Sequence, residues 1–178
     1  MKANRFIIIF LLKAIGVYAS WYVIYDLWLK KVGTLDNWIV DSIVYFSSKI
    51  LTSFNYMIYV DNQTIGIYDA ASNVFVGTGC NGLEMMVLFV GFVLIFDGSW
   101  KHKIWFIPAG IIILHILNIA RVLSLIFIGK YFTLELLEFN HKYTFTIILY
   151  VITFFGWMIW VKYFSQTNSN IKKDVKSK

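Results

Sequence analysis

Long apolar runs alternate along the chain with short polar or basic breaks, and the breaks set the elements the pattern predicts. Residues 6–29 form the first run, long enough as a helix to cross about 30 Å of hydrocarbon at roughly 1.5 Å per residue. Residues 83–96, closed by Asp97-Gly98-Ser99, form the second, and a helix that begins near Cys80 makes it just long enough. The third covers 104–128, with Pro108 in its first turns, where a helix tolerates proline. A polar loop over 129–140 carries Glu135 and Glu138, and His141-Lys142 then opens a fourth run over 143–163.

Residues 30–79 are the one sizeable polar segment. Over 36–54, Trp38, Ile39, Ile43, Val44, Phe46 and Leu51 recur at helical spacing among Asp41, Ser47, Ser48 and Lys49. That is the pattern of an amphipathic helix lying on or dipping into a membrane surface, and Asp41 and Lys49 weigh against a full span. Residues 56–60, 64–68 and 73–76 read as short strands, with Asp61-Asn62 as a turn. The expected fold is an all-α integral membrane protein with about four transmembrane helices, a small extracytoplasmic amphipathic helix and a short β hairpin. Its parts are a first span (1–29), a cap (30–79), a three-span core (80–163) and a basic tail (164–178). No repeat or linker divides them.

Composition places the chain firmly among membrane proteins. It is 59% hydrophobic, 15% charged and 19% aromatic, with a mean hydropathy of +0.69, outside the range of a soluble domain. The net charge of +6 does not point to nucleic acid, because the cations cluster at the ends of apolar runs: Lys2 and Arg5, Lys101 and Lys103, and Lys172, Lys173, Lys176 and Lys178. Such clusters set topology and touch anionic membrane lipid. They predict cytoplasmic termini and a cytoplasmic 101–103 loop, with 30–79 and 129–141 outside. A basic start before an apolar run also fits a signal peptide cut at Ala19-Ser20, but the run continues through 21–25, too far for such a segment. Lys13 within it is expected to snorkel to the cytoplasmic interface.

Candidate chemistry begins at Gly77-Thr78-Gly79-Cys80-Asn81-Gly82-Leu83-Glu84, which holds the only cysteine. One cysteine excludes an intrachain disulfide and a Cys-rich zinc site. From Cys80 to Asp97 a helix descends about 25 Å, and from Ile104 to Arg121 the next ascends about as far, so Arg121 returns to the depth of Cys80. His141 stands at the outer mouth of the fourth run. Sulfur, guanidinium and imidazole thus share one layer on three helices. A helix N-terminus and a guanidinium favour a thiolate, an imidazole exchanges protons, and arginine N–H groups hold a developing oxyanion. Together they make a set for acyl transfer through a thioester, which Gly77, Gly79 and Gly82 would let a substrate approach closely.

Plainer readings stand beside this one. A lone cysteine is usually a packing residue, and a histidine at an interface is usually solvated. Arg121 is harder to dismiss, since an arginine in a span must be paired or face a cavity. Glu84, one turn after Cys80, is expected to pair with Arg121. His115 lies deeper and is expected to make an interhelical hydrogen bond. Asn118 is expected to bond Arg121 or the loop before Cys80, and His102 to be solvated.

Gly79-Cys80-Asn81-Gly82-Leu83, Asn118-Ile119-Ala120-Arg121-Val122 and the isolated His141 before a final span resemble the exosortase/archaeosortase family, as does the approach through a surface helix and short strands. The likeness covers roughly residues 38–145. Many relatives have about eight spans and this chain about four, so it is similar to the short (F-type) variants of Bacteroidetes. The resemblance implies a cysteine transpeptidase of a bacterial inner membrane, its site facing the periplasm. It also implies Cys80 as nucleophile, His141 as base and acid, and Arg121 as stabiliser, without cofactor or metal. The implied partners are C-terminal sorting-signal segments of secreted proteins (a short motif, a transmembrane helix and a basic cluster) and a cell-surface acceptor. Glu84 departs from the basic or amide residue that relatives often carry there.

The chief rival is a non-catalytic membrane partner of a secretion or glycan-export system. A zinc hydrolase using Cys80, Glu84, His115 and His141 lacks an H-E-x-x-H signature, and a transporter would want more polar or broken helices at mid-membrane.

Overall fold

The computed structural model describes residues 2–25, 27 and 30–165, without the side chains of 2–7 and 10. The side chains of Lys2 and Arg5, and the basic tail beyond Ser165, therefore lie outside the described residues. The order is α1 (Lys2–Ile24), a single turn α2 (Lys30–Val32), α3 (Thr34–Ser53), β1 (Ile58–Asp61), β2 (Thr64–Ile67), β3 (Val74–Phe75), α4 (Leu83–Ile95), α5 (Trp100–Tyr131), α6 (Leu134–Phe139) and α7 (Phe145–Ile159). A 3₁₀ turn at Thr78–Cys80 leads towards α4. π-helical turns at Asn140–Thr144 and Trp160–Phe164 flank α7, so that Leu134–Phe164 runs as one helix. This helix and Trp100–Tyr131 are long and apolar enough to cross a membrane; Leu11–Ile24 and Leu83–Ile95 are apolar but shorter.

The apolar spacing of 36–54 produces the expected amphipathic helix. α3 turns Ile39, Val40, Ile43, Val44 and Leu51 inward and leaves Trp38, Tyr45, Phe46 and Phe54 exposed. Each such buried side chain contributes about 1.5–3 kcal/mol. The strands form a three-stranded antiparallel sheet rather than a bare hairpin. Ile58 faces Ile67 and Asp61 faces Thr64 across the Asn62 turn, and Ile65 faces Val74. Alternation turns Ile65, Ile67, Val74 and Val76 onto α3 and onto Val122, Leu125 and Ile126 of α5. A second core joins Met86, Phe89 and Val93 of α4 to Leu114 and Trp160. Phe89 lies over Gly110 and Gly156, where the missing side chains let α5 and α7 close on α4.

Three boundaries differ from the sequence pattern. Residues 129–140 are no loop: α5 continues to Tyr131, α6 begins at Leu134, and only Phe132 and Thr133 connect them. Gly129 does not end the helix; a Cβ there would meet the Ser72 carbonyl at 2.9 Å, so the glycine admits the cap. α5 also begins at Trp100, before the expected 104, so Pro108 sits two turns inside it rather than in its first turns. The 101–103 stretch is therefore helical. There Lys103 is buried, and its Nζ donates to the carbonyls of Leu94 and Phe96 at 2.9 Å each, closing the C-terminus of α4. Lys103→Met should lower stability by about 1–3 kcal/mol, read as a fall in Tm in detergent; an unchanged Tm would mean that water serves those carbonyls equally well.

Candidate active site

The turn that carries Cys80 is fixed on every side. Its N–H donates to the Gly77 carbonyl at 2.9 Å, and its carbonyl accepts from Asn118 Nδ2 at 3.0 Å. Asn81 is tied at both ends of its side chain: Nδ2 donates to Asp36 Oδ1 at 2.6 Å, and Oδ1 accepts from the Leu83 N–H at 2.9 Å. Gly82 then adopts φ +77°, a conformation that a side chain strains, and a Cβ there would meet Asn118 Nδ2 at 3.2 Å. Cys80 consequently ends a 3₁₀ turn and does not open α4, which starts at Leu83.

α5 and the π-helical turn bring the other two groups to this sulfur. Cys80 Sγ lies 2.8 Å from His141 Nε2. Arg121 Nη2 donates to the His141 carbonyl at 3.0 Å and reaches Cys80 Sγ at 3.9 Å. A π turn widens the helix by one residue, and here it carries His141. Arg121 is 9% exposed, and among the described residues its Nε has no hydrogen-bond partner; nor has Asn118 Oδ1, buried beside Cys80. The site thus combines a sulfur, an imidazole in contact with it and a buried cation with an N–H to spare. That combination can move a proton off the sulfur and receive negative charge on a reacting oxygen.

Of the other candidates, Asn118 bonds the Cys80 carbonyl and not Arg121. Gly79 has open space where a side chain would be. Glu84 does not pair with Arg121. Among the described residues no ion pair joins them: the Arg121 amine is committed to His141 and Cys80, and Glu84 is exposed. The expected pairing assumed one continuous helix from Cys80 to Glu84, and the left-handed Gly82 interrupts it. His115 makes its interhelical hydrogen bond, 3.0 Å to Ser42 Oγ on α3, apart from the site. His102 is exposed, its ring 5.2 Å from that of Phe164, and Lys13 is exposed. Among the described residues no three His, Cys, Asp or Glu side chains are grouped so as to hold a metal ion.

Two clefts flank the site without being lined by Cys80, Arg121 or His141. One, of about 920 Å³, lies between α1, α3, α4 and α5 and is almost wholly apolar, with His115 in its wall. The other, of about 520 Å³, lies between α1, α4 and α7 and carries Lys30, Glu84 and Tyr25.

Asp36 and Tyr25 escaped the sequence reading. Tyr25 Oη donates to both Asp36 oxygens at 3.2 Å, and Asp36 is 2% exposed. A signal existed: Asp36 falls on the same helical stripe as Ile39, Val40 and Ile43, so a carboxylate was due to face the core.

A family model described as a transmembrane exosortase matches residues 8–161, a span that includes Cys80, Arg121 and His141. No curated protein and no solved structure matches the chain.

Proposed function

Since the chain belongs to the transmembrane exosortase family, and so is a membrane protein, we propose that it is a cysteine transpeptidase acting on secreted proteins that end in a sorting signal. The observation that carries this reading is the 2.8 Å approach of Cys80 Sγ to His141 Nε2 beneath the Arg121 guanidinium.

The chemistry follows from that contact. His141 Nε2 takes the Cys80 proton as the sulfur attacks the scissile carbonyl carbon of the bound segment. Charge moves onto the carbonyl oxygen, where the Arg121 guanidinium, whose Nη2 already faces the sulfur, receives it. Collapse breaks the carbon–nitrogen bond, and His141 returns its proton to the leaving amine, giving a Cys80 thioester. A nucleophile on the cell-surface acceptor then gives its proton to His141 and attacks the thioester carbon. The carbon–sulfur bond breaks, and Cys80 recovers the proton. Asn118 holds the Cys80 carbonyl throughout and so keeps the backbone from following the substrate.

In the same reading the whole chain is one domain, with α1, α4, α5 and the α6–α7 helix crossing the membrane. Both termini face the cytoplasm, and α3 with the sheet forms a cap over the periplasmic end. The runs that fit this layout are Leu11–Ile24, Leu83–Ile95, Trp100–Tyr131 and Leu134–Phe164. Membrane lipid surrounds them.

The test is capture of the acyl-enzyme. Quenched reactions with a sorting-signal protein should yield a hydroxylamine-sensitive adduct on Cys80, and mass spectrometry should identify the attached C-terminus. Processing that continues undiminished in Cys80→Ala would instead support a non-catalytic partner of a secretion system.

A further inference from the structure

We propose that Asp36 is a positioning residue for Cys80, an inference that rests on the Cys80–His141 reading above. Asp36 opens the buried face of α3, far from Cys80 in sequence, yet its carboxylate is the only side-chain group found bonding Asn81 Nδ2 among the described residues.

Asn81 suits this place because it bridges unlike needs. The Leu83 N–H, at the first turn of α4, wants an acceptor, and the buried Asp36 carboxylate wants donors. A primary amide offers one of each. Asp36 therefore decides which way the amide faces: with the nitrogen held by the carboxylate, the oxygen is left for Leu83. Tyr25 Oη bonds both carboxylate oxygens and fixes the carboxylate in turn. The chain of contacts runs from the end of α1 to the start of α3 and then to the residue beside the nucleophile.

Without this clamp Cys80 would still be held from one side, through Gly77 and Asn118. With it, the peptide on the other side is fixed as well, and the sulfur keeps little freedom beyond rotation about its own Cα–Cβ bond. Burying a carboxylate is a costly way to pin a turn if stability alone is at stake. It is a reasonable one where a sulfur must stay within contact of one imidazole nitrogen, since a displacement of about 1 Å can cost roughly a hundredfold in rate.

The protein has one cysteine, so alkylation of the purified full chain by iodoacetamide reports Cys80 alone. Asp36→Ala should slow alkylation and thioester formation together, by about 10- to 100-fold, with substrate KM unchanged. Asp36→Asn, whose amide oxygen can still accept from Asn81, should recover most of the loss. Asn81→Ala cuts the same clamp from its other end and should match Asp36→Ala; it decides the matter if Asp36→Ala does not fold. A folded Asp36→Ala or Asn81→Ala protein that alkylates at the native rate overturns the inference. His141→Ala separates the two layers of argument. If it slows alkylation while the clamp variants do not, only the role of Asp36 fails. If it too leaves alkylation unchanged, the pairing of Cys80 with His141 fails, and this inference with it.

Discussion

Replacing His141 by alanine should reduce single-turnover thioester formation by about 10⁴- to 10⁶-fold, as loss of the base does where a nucleophile and base act as one unit, while leaving the protein at its normal level in the membrane. The separation is expected because the fold uses the backbone of this residue and the chemistry uses its ring. Arg121 donates to the His141 carbonyl, which alanine retains, whereas only the imidazole touches Cys80 Sγ. His141 is half-buried, so its loss opens a space that is not fully enclosed. Combining His141→Ala with Cys80→Ala should add almost nothing to either change alone. Undiminished processing by His141→Ala would remove the imidazole from the mechanism.

Arg121→Lys should lower the rate of acylation by about 10²- to 10³-fold, the usual cost of losing one oxyanion donor, even though the positive charge remains. In the native site one nitrogen of the planar guanidinium, Nη2, both donates to the His141 carbonyl at 3.0 Å and reaches the sulfur at 3.9 Å, while Nε has no partner among the described residues. An ammonium is a compact point charge on a flexible stem and cannot reproduce that geometry. The measurement is burst amplitude and rate of thioester formation, with binding of the uncleaved substrate as control. Equal rates for the lysine variant would reduce the role of Arg121 to charge alone.

The sequence made the site legible in a way that it did not make the surrounding connections. Counting rise per residue from Cys80 down one helix and up the next placed Arg121 beside Cys80, and its Nη2 lies 3.9 Å from the sulfur although α4 is shorter than the count assumed and α5 begins earlier. The alternation over 36–54 gave α3, since burial of one stripe outweighs everything else there. Failures came where a residue served a distant partner. Gly129 and Lys130 looked like a helix end, yet Gly129 is small for the sake of the Ser72 backbone. Lys103 read as one of two cations in a short basic loop, yet its Nζ serves the end of α4. Glu84 looked like a mate for Arg121 because local spacing cannot reveal that Gly82 reverses the backbone hand between them. Asp36 was on a core-facing stripe but had no visible mate, since Asn81 lies 45 residues away.

The wide turn at Asn140–Thr144 has a consequence for anyone who aligns or transplants this segment. In ordinary α-helical winding each residue advances the direction of its side chain by about 100°. A lost or gained residue between the imidazole and the apolar stretch that follows therefore swings the ring away from the thiol while leaving hydropathy, length and composition of the helix almost untouched. Two homologous chains can share every recognisable motif here and still differ in competence by the phase of one screw. A register gap of a single position, normally dismissed as alignment noise, is at this point a statement about whether the proton acceptor faces inward.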